Sequence, residues 1–135
     1  MRLGYLLKLV QLRFSDQVRA ALAELAIDNR EWAALISLDD QRPRSQAEVA
    51  NRAGVDRTTM VALIDGLQDK GLVRRRPHRD DRRKNVVELT STGRDVRDRA
   101  ALLVDECERR FLAPLGDAGA KQLKAALETL IAPGR

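Results

Sequence analysis

Between residues 45 and 57 the sequence leaves the backbone little choice. Ser45-Gln46-Ala47-Glu48 is a capping box. A serine hydroxyl accepts the N–H three residues on, and a glutamate carboxylate reaches back to the serine N–H. The box opens a short helix with Ala47, Val49 and Ala50 as its apolar set. Gly54 falls where that helix must stop, since glycine adopts the left-handed conformation of a helix end without a Cβ penalty. Val55 follows as a buried turn residue, and Asp56 is a strong N-cap for a helix over 57–69 with Met60, Leu63, Ile64 and Leu67 on one face. Two short capped helices joined through a glycine turn form a helix-turn-helix pattern.

The flanking segments extend it. Leu72–Arg76 and Asn85–Leu89 read as two strands joined by a polar turn, so a hairpin follows the second helix directly and makes the unit winged. Upstream, Leu3, Leu6, Leu7, Val10, Phe14, Val18, Ala21, Leu22 and Leu25 recur at helical spacing, predicting a long helix over 3–27. Asp28 and Glu31 form a second capping box for a helix carrying Trp32, Leu35, Ile36 and Leu38, which is expected to run to Asp39-Asp40-Gln41-Arg42 and stop at Pro43. Downstream, Thr90 and Thr92 are both candidates to cap a helix running to about Leu112, with Val96, Ala100, Leu103, Val104, Cys107 and Phe111 as its stripe. Pro114 and Gly116 break it before a last helix over 117–132. The fold class is mainly α with a small β-hairpin wing: a winged helix-turn-helix lobe over 29–92, within a single domain spanning 1–135, and helical regions over 1–28 and 93–135. The terminal helices carry apolar stripes that need a cover, and a second copy of the chain supplies one.

Charge is concentrated. Lys70, Arg74, Arg75, Arg76, Arg79, Arg82, Arg83 and Lys84 face only Asp80 and Asp81 within 70–84, a net of +6; with +5 for the whole chain, the remainder carries −1. Such a basic element suits a polyphosphate partner. The leading turn of helix 57–69 presents free N–H groups and side chains that reach base edges in the major groove, and the wing arginines reach the backbone or the minor groove. Aromatics make up 3% of the chain, too few for single-strand stacking platforms. One Cys and one His exclude a zinc cluster, an internal disulfide and Cys–His or Ser–His catalysis. Asp39-Asp40 and Asp80-Asp81 are neighbours in loops, not positioned acid/base pairs, so no enzyme is expected. Lys8, Gln11 and Arg13 interrupt the N-terminal apolar stretch, which predicts neither a membrane span nor a signal peptide, and a reducing, cytoplasmic setting. The alternative is a winged-helix module that binds a small molecule or a protein and has no role on DNA.

Along almost its whole length the chain resembles the MarR family of bacterial transcriptional regulators. The pieces that match are Leu3-Gly4-Tyr5-Leu6-Leu7, Trp32 four residues after Asp28, Ser45 to Ala50, Asp56 to Val61, Ile64-Asp65-Gly66-Leu67 and Lys70-Gly71-Leu72-Val73. The most family-specific stretch is Asp81-Arg82-Arg83 followed by Leu89-Thr90-Ser91-Thr92-Gly93. The resemblance implies a homodimer held by the outer helices, a pseudo-palindromic double-stranded operator, repression, no cofactor, and a small, often phenolic, effector entering between the two regions. Some relatives respond instead through a reactive Cys near the N-terminus, where this chain has none.

Carried over by position, Arg57, Thr58 and Thr59 lead the recognition helix, with Ala62 a turn further on and Ser45 and Gln46 at the start of the preceding helix. Arg57 is expected at a base or phosphate, or else in a salt bridge to a neighbouring carboxylate. Arg83 matches the wing arginine of the minor groove, although the adjacent Arg82 can take that role. Asp81 matches the acid that braces the wing, and Arg79 and Lys84 are expected at phosphates. His78 is either a pH-sensitive wing residue or a solvent-facing one. Trp32 either borders an effector crevice or is simply core. Arg13 and Arg19 are either effector partners or exposed helix-face residues. Cys107 is expected as a small buried apolar group.

Overall fold

The computed structural model describes residues 1–38, 42–81, 83 and 85–134. In chain order the elements are α1 (Leu3–Leu22), α2 (Asn29–Ile36), β1 (Arg44–Ser45), α3 (Gln46–Ala53), α4 (Arg57–Asp69), β2 (Val73–Pro77), β3 (Asn85–Leu89), α5 (Ser91–Leu112) and α6 (Gly116–Ile131), with short 3-10 turns at Ala23–Leu25 and Ala113–Leu115.

Four side chains set the helix starts. Asp28 Oδ1 accepts from Glu31 N at 2.8 Å and Glu31 Oε1 from Asp28 N at 3.1 Å, closing the first capping box. Ser45 and Glu48 close the second, at 3.1 and 3.3 Å. Asp56 caps α4 through Thr59 N, and Thr90 caps α5 through Gly93 N, so Thr92 is not the cap. Gly54 takes φ +71, and Val55 N donates to Ala50 O at 3.1 Å, ending α3 in the turn that separates it from α4. Gly71 and Leu72 close α4 in the same way, donating to Gln68 O and Leu67 O.

Two helix ends and the strand count of the sheet differ from expectation. The first helix stops at Leu22 rather than 27; after the 3-10 turn, Ala26 is left-handed at φ 57. Tertiary contacts hold it there: Ile27 is buried, and Lys70 Nζ donates to Ala26 O at 2.6 Å. The second helix ends at Ile36, well before Pro43, where Ser37 Oγ donates back to Ala33 O at 2.7 Å. The expected extension through Asp39, Asp40 and Gln41 lies outside the described residues. The hairpin gains a third strand: Arg44 pairs with Val87 and Ser45 with Val86, giving an antiparallel sheet in the order β1-β3-β2.

The core lies under the helix-turn-helix. Leu22, Leu35, Val49, Met60, Ile64, Leu67, Val73 and Val87 are its largest fully buried side chains. The long helices meet it from one side, with Phe14 of α1 against Phe111 of α5 at a centroid distance of 5.2 Å. Cys107 is half-buried in the same packing and donates its weak S–H toward Gln17 O at 3.7 Å. Outside this core the helices stay uncovered. Leu3, Leu6, Leu7, Val10 and Leu12 of α1 are exposed, as are Leu123, Leu127, Leu130 and Ile131 of α6.

Asp56 ties acid sensitivity to the site. The Thr59 backbone N–H, and then its hydroxyl, hold the Asp56 carboxyl below its usual value. A folded-state value lowered in this way contributes stability above the unfolded value, and that stability is lost as pH falls through the folded one. Asp56→Asn keeps a capping oxygen and removes the titration. Acid unfolding below about pH 4, followed by circular dichroism, is expected to be less steep in that variant, with little change at neutral pH.

Candidate nucleic-acid interface

The side of α4 away from the core carries the candidate contacts. Met60, Ile64 and Leu67 point inward, which leaves Arg57, Thr58, Val61, Ala62 and Asp65 outward. Arg57 and Thr58 are exposed, and among the described residues Arg57 forms no ion pair, so the neighbouring-carboxylate alternative has no partner there. Thr59 is different: its hydroxyl donates to Asp56 Oδ2 at 2.7 Å. Its proton is therefore committed to the cap, and Thr58 is the hydroxyl donor that this turn presents. Val61, 42% exposed beside Ala62, is a surface the sequence reading passed over. Its methyl groups suit a thymine methyl in the major groove. The signal was available, since Val61 falls three residues after Thr58, on the polar face.

A groove of about 420 Å³ runs between α3, α4 and the wing, lined by Ser45, Gln46, Glu48, Arg57, His78 and Arg83 among others. It brings together residues separated by nearly forty positions in sequence. Ser45 Oγ accepts the cap N–H, and its own O–H stays available. Asp81 Oδ1 accepts from Arg83 N at 3.0 Å, and Asp80 N donates to His78 Nδ1 at 3.0 Å; both bonds shape the wing loop. The Arg83 side chain is 96% exposed, with its Nε 3.7 Å from Asp81. Arg79 is exposed as well. Arg82 and Lys84, expected at the minor groove and at phosphate, lie outside the described residues.

The basic run is less free than its sequence suggests. Lys70 Nζ lies 2.8 Å from Glu31 Oε2. Arg74 and Arg76 share Glu88, at 2.8 and 3.1 Å. Burial works against the Glu88 charge, but the two arginine hydrogen bonds outweigh it and hold the carboxyl below its usual value. Arg75 pairs with Asp65 at 2.7 Å. Four of the eight basic residues thus pair with carboxylates of other elements. Among the described residues, Arg79 and Arg83 are the wing-loop cations not held by a carboxylate of another element, Arg83 lying 3.7 Å from Asp81 of its own loop.

Away from this face, Trp32 is half-buried against the core and also lines a cleft of about 220 Å³ with Gln11, Phe14, Ser15, Val18, Asn29 and Val104. It is core on one side and crevice wall on the other. Asn29 Nδ2 donates to Ser15 O at 3.0 Å, while its Oδ1 is buried with no partner among the described residues. Arg13 is exposed, and Arg19 pairs with Asp16 on the surface of α1. Among the described residues no group of His, Cys, Asp and Glu could hold a metal ion, and no helix is long and apolar enough to cross a membrane.

A glycine-turned helix pair with an outward polar recognition face, flanked by a β-hairpin bearing exposed arginines, defines a winged helix-turn-helix DNA-binding module. The family model for the MarR family matches residues 27–84. The chain is 33% identical over 128 residues to the HTH-type transcriptional repressor Rv2887 of Mycobacterium tuberculosis, covering 95% of this chain and 92% of that protein. It matches the crystal structure of CouR from Rhodococcus jostii RHA1 bound to p-coumaroyl-CoA at 28% identity and TM-score 0.81, covering 98% of this chain and 93% of that one. A mutant MarR from E. coli, solved with operator DNA, shares the fold at TM-score 0.87 and 23% identity, over 96% of this chain and 93% of that one. The chain belongs to the MarR family of transcriptional regulators.

Proposed function

We propose that the chain is a ligand-responsive repressor that binds a pseudo-palindromic operator as a homodimer. The observation that carries this reading is the groove that joins Arg57 of the recognition helix to Arg83 of the wing, with Ser45 and Gln46 between them. A helix at the groove's edge enters the major groove, and a wing arginine 96% exposed reaches the adjacent minor groove. Contacts are assigned to Ser45, Gln46, Arg57, Thr58 and Ala62 on the helices and to Arg79, Arg82, Arg83 and Lys84 on the wing, with Asp81 as the brace. Thr59 serves as the cap partner that seats the turn. Nothing in this set is a catalytic constellation, and a regulator acting on chromosomal DNA works in the cytoplasm.

The dimer reading is supported by the apolar faces of α1 and α6. Leu3, Leu6, Leu7 and Val10 on one, and Leu123, Leu127, Leu130 and Ile131 on the other, are exposed. A stripe of exposed large apolar side chains on a helix marks a surface that a partner covers. On this reading residues 1–28 and 93–135 form the dimerisation region and 29–92 the DNA-binding lobe. A two-fold axis then sets the two recognition helices about 34 Å apart, one turn of DNA, or a multiple of that.

The effector reading is supported by the cleft at Trp32. It is small, as suits a single aromatic ring such as a phenol, and CouR is a relative solved with an aromatic acyl thioester. One wall is the first turn of α2, where Glu31 lies between Asn29 and Trp32 and grips Lys70 at the end of α4. A ligand that shifts this turn therefore pulls on the recognition helix.

The test is selection of the full-length protein on random duplex DNA at about 0.15 M salt, with light scattering on the same sample. Recovery of an inverted repeat by a particle of twice the chain mass is the expected result. A monomer at micromolar concentration overturns the dimer. DNA retained without sequence preference and stripped by salt favours the protein-binding alternative.

A further inference from the structure

Arg75 belongs by sequence to the basic run, yet its side chain is only 20% exposed and every contact it makes is internal. Nε donates to Gln46 Oε1 at 2.8 Å. Nη1 donates to Gln68 Oε1 at 3.1 Å and lies 2.7 Å from Asp65 Oδ1, and Nη2 donates to Val61 O at 3.2 Å. One guanidinium on β2 thus joins the first turn of α3 to the middle of α4.

We propose that Arg75 is a positioning residue of the interface: it pins the Gln46 carboxamide oxygen inward, so that Gln46 meets DNA only as a donor, at a phosphate. The inference rests on the DNA-binding reading above. A guanidinium has five N–H donors and no acceptor, so the amide atom that faces it is the oxygen. What remains of the amide is its NH₂, and Gln46 lines the groove together with Ser45, Arg57 and Arg83. Bidentate reading of adenine needs the amide oxygen and nitrogen turned together to the base, whereas the Arg75 hydrogen bond takes one of the oxygen's two lone pairs and fixes the rotation of the amide. A phosphate oxygen accepts only, and the first helix of a helix-turn-helix crosses the phosphate backbone. Arg75 also pairs with Asp65, an acid on the outward face of α4 that would otherwise repel the duplex.

The test uses the full chain and the operator it selects, with the phosphates replaced one at a time by neutral methylphosphonate. The wild type should show one phosphate per half-site, facing α3, where replacement weakens binding about tenfold, the scale of a hydrogen bond to a charged group. Gln46→Ala should lose sensitivity at that phosphate and keep it elsewhere. Gln46→Glu should bind more weakly than Gln46→Ala, because a carboxylate lacks the donor, as alanine does, and in addition repels the phosphate. Arg75→Met should lose sensitivity at the same phosphate as Gln46→Ala. Arg75→Lys should do likewise while keeping a cation beside Asp65, and it serves if the methionine variant does not fold. In the free protein the Arg75 Nε–H should give a slowly exchanging ¹⁵N signal that Gln46→Ala shifts, a readout that needs no DNA. Full sensitivity at that phosphate in a folded Arg75 variant, a Gln46→Ala change confined to adenine preference, or an absent Nε–H signal in a protein that binds its operator each overturns the inference alone. A wild type that selects no operator overturns the DNA reading, and this inference with it.

Discussion

Gly93→Ala is expected to abolish the stable fold, although it adds one methyl group. A Cβ at this position sits 1.8 Å from the Leu72 carbonyl oxygen and 2.8 Å from its carbon, both backbone atoms that no rotamer change can move aside. The same carbonyl accepts from Thr90 N at 3.0 Å. Thr90 Oγ1 in turn donates to Gly71 O at 2.6 Å and accepts from Gly93 N at 2.9 Å. Lifting α5 to make room therefore breaks the cap that starts it and strands a carbonyl at the end of α4. Overpacking of about 1–3 kcal/mol, a lost cap of about 1 and an unsatisfied carbonyl of about 1–3 together approach the whole stability of a small domain. Urea unfolding followed by circular dichroism is the measurement, with Gly66→Ala as the control. Gly66 lies within α4 and has nothing within 4 Å of its built Cβ. That variant should be neutral, or more stable by up to about 1 kcal/mol from helix propensity. Equal midpoints for Gly93→Ala and wild type would remove the close approach from the account.

The contrast between these glycines shows what the sequence makes legible. Asp28, Ser45, Asp56 and Thr90 announce their helices because a cap is a bond between residues three apart, visible in any stretch that contains both. Gly93 announces only a tolerant position; that it faces the Leu72 carbonyl depends on how α5 docks on the end of α4, more than twenty residues away. Ala26 is opaque for the same reason, since an alanine turns left-handed only because Ile27 and Lys70 demand it. Strand β1 consists of two residues, too short to show any alternation.

The interface was legible as a surface and not as a set of charges. Periodicity alone puts Arg57, Thr58 and Ala62 opposite the buried face of α4. The run from Lys70 to Lys84 reads as one cation, and in the fold half of it is paired with carboxylates of other elements. Part of this was open to inspection, because the hairpin register sets Arg74 across from Glu88. The Arg75 contacts with Gln46, Asp65 and Gln68 were not, because three helices and strands must first be assembled around them.

That division of the basic run gives the second large effect. Arg83→Ala is expected to weaken operator binding by about ten- to a hundredfold over the two wings of a dimer, and to flatten its salt dependence. Each cation withdrawn from the phosphates lowers the slope of log K against log salt by about 0.9, so two wings should lower it by nearly 2. Arg74→Ala is the matched control. It removes the same formal charge, but Arg74 is bound to Glu88, which keeps Arg76 after the substitution. Its slope should stay close to that of the wild type. If proximity to the wing in sequence were what mattered, the two variants would behave alike. Because Arg83 is 96% exposed and Arg74 is tied across the hairpin, they should not. Arg83→Ala should also relax base preference where the minor groove is narrow, outside the half-site read by α4, since A·T-rich minor grooves attract an inserted arginine. Salt-titrated binding to the selected operator decides the matter: unchanged affinity and slope in Arg83→Ala would take this residue out of the interface and leave Arg79 as the exposed wing-loop cation without an ion pair among the described residues.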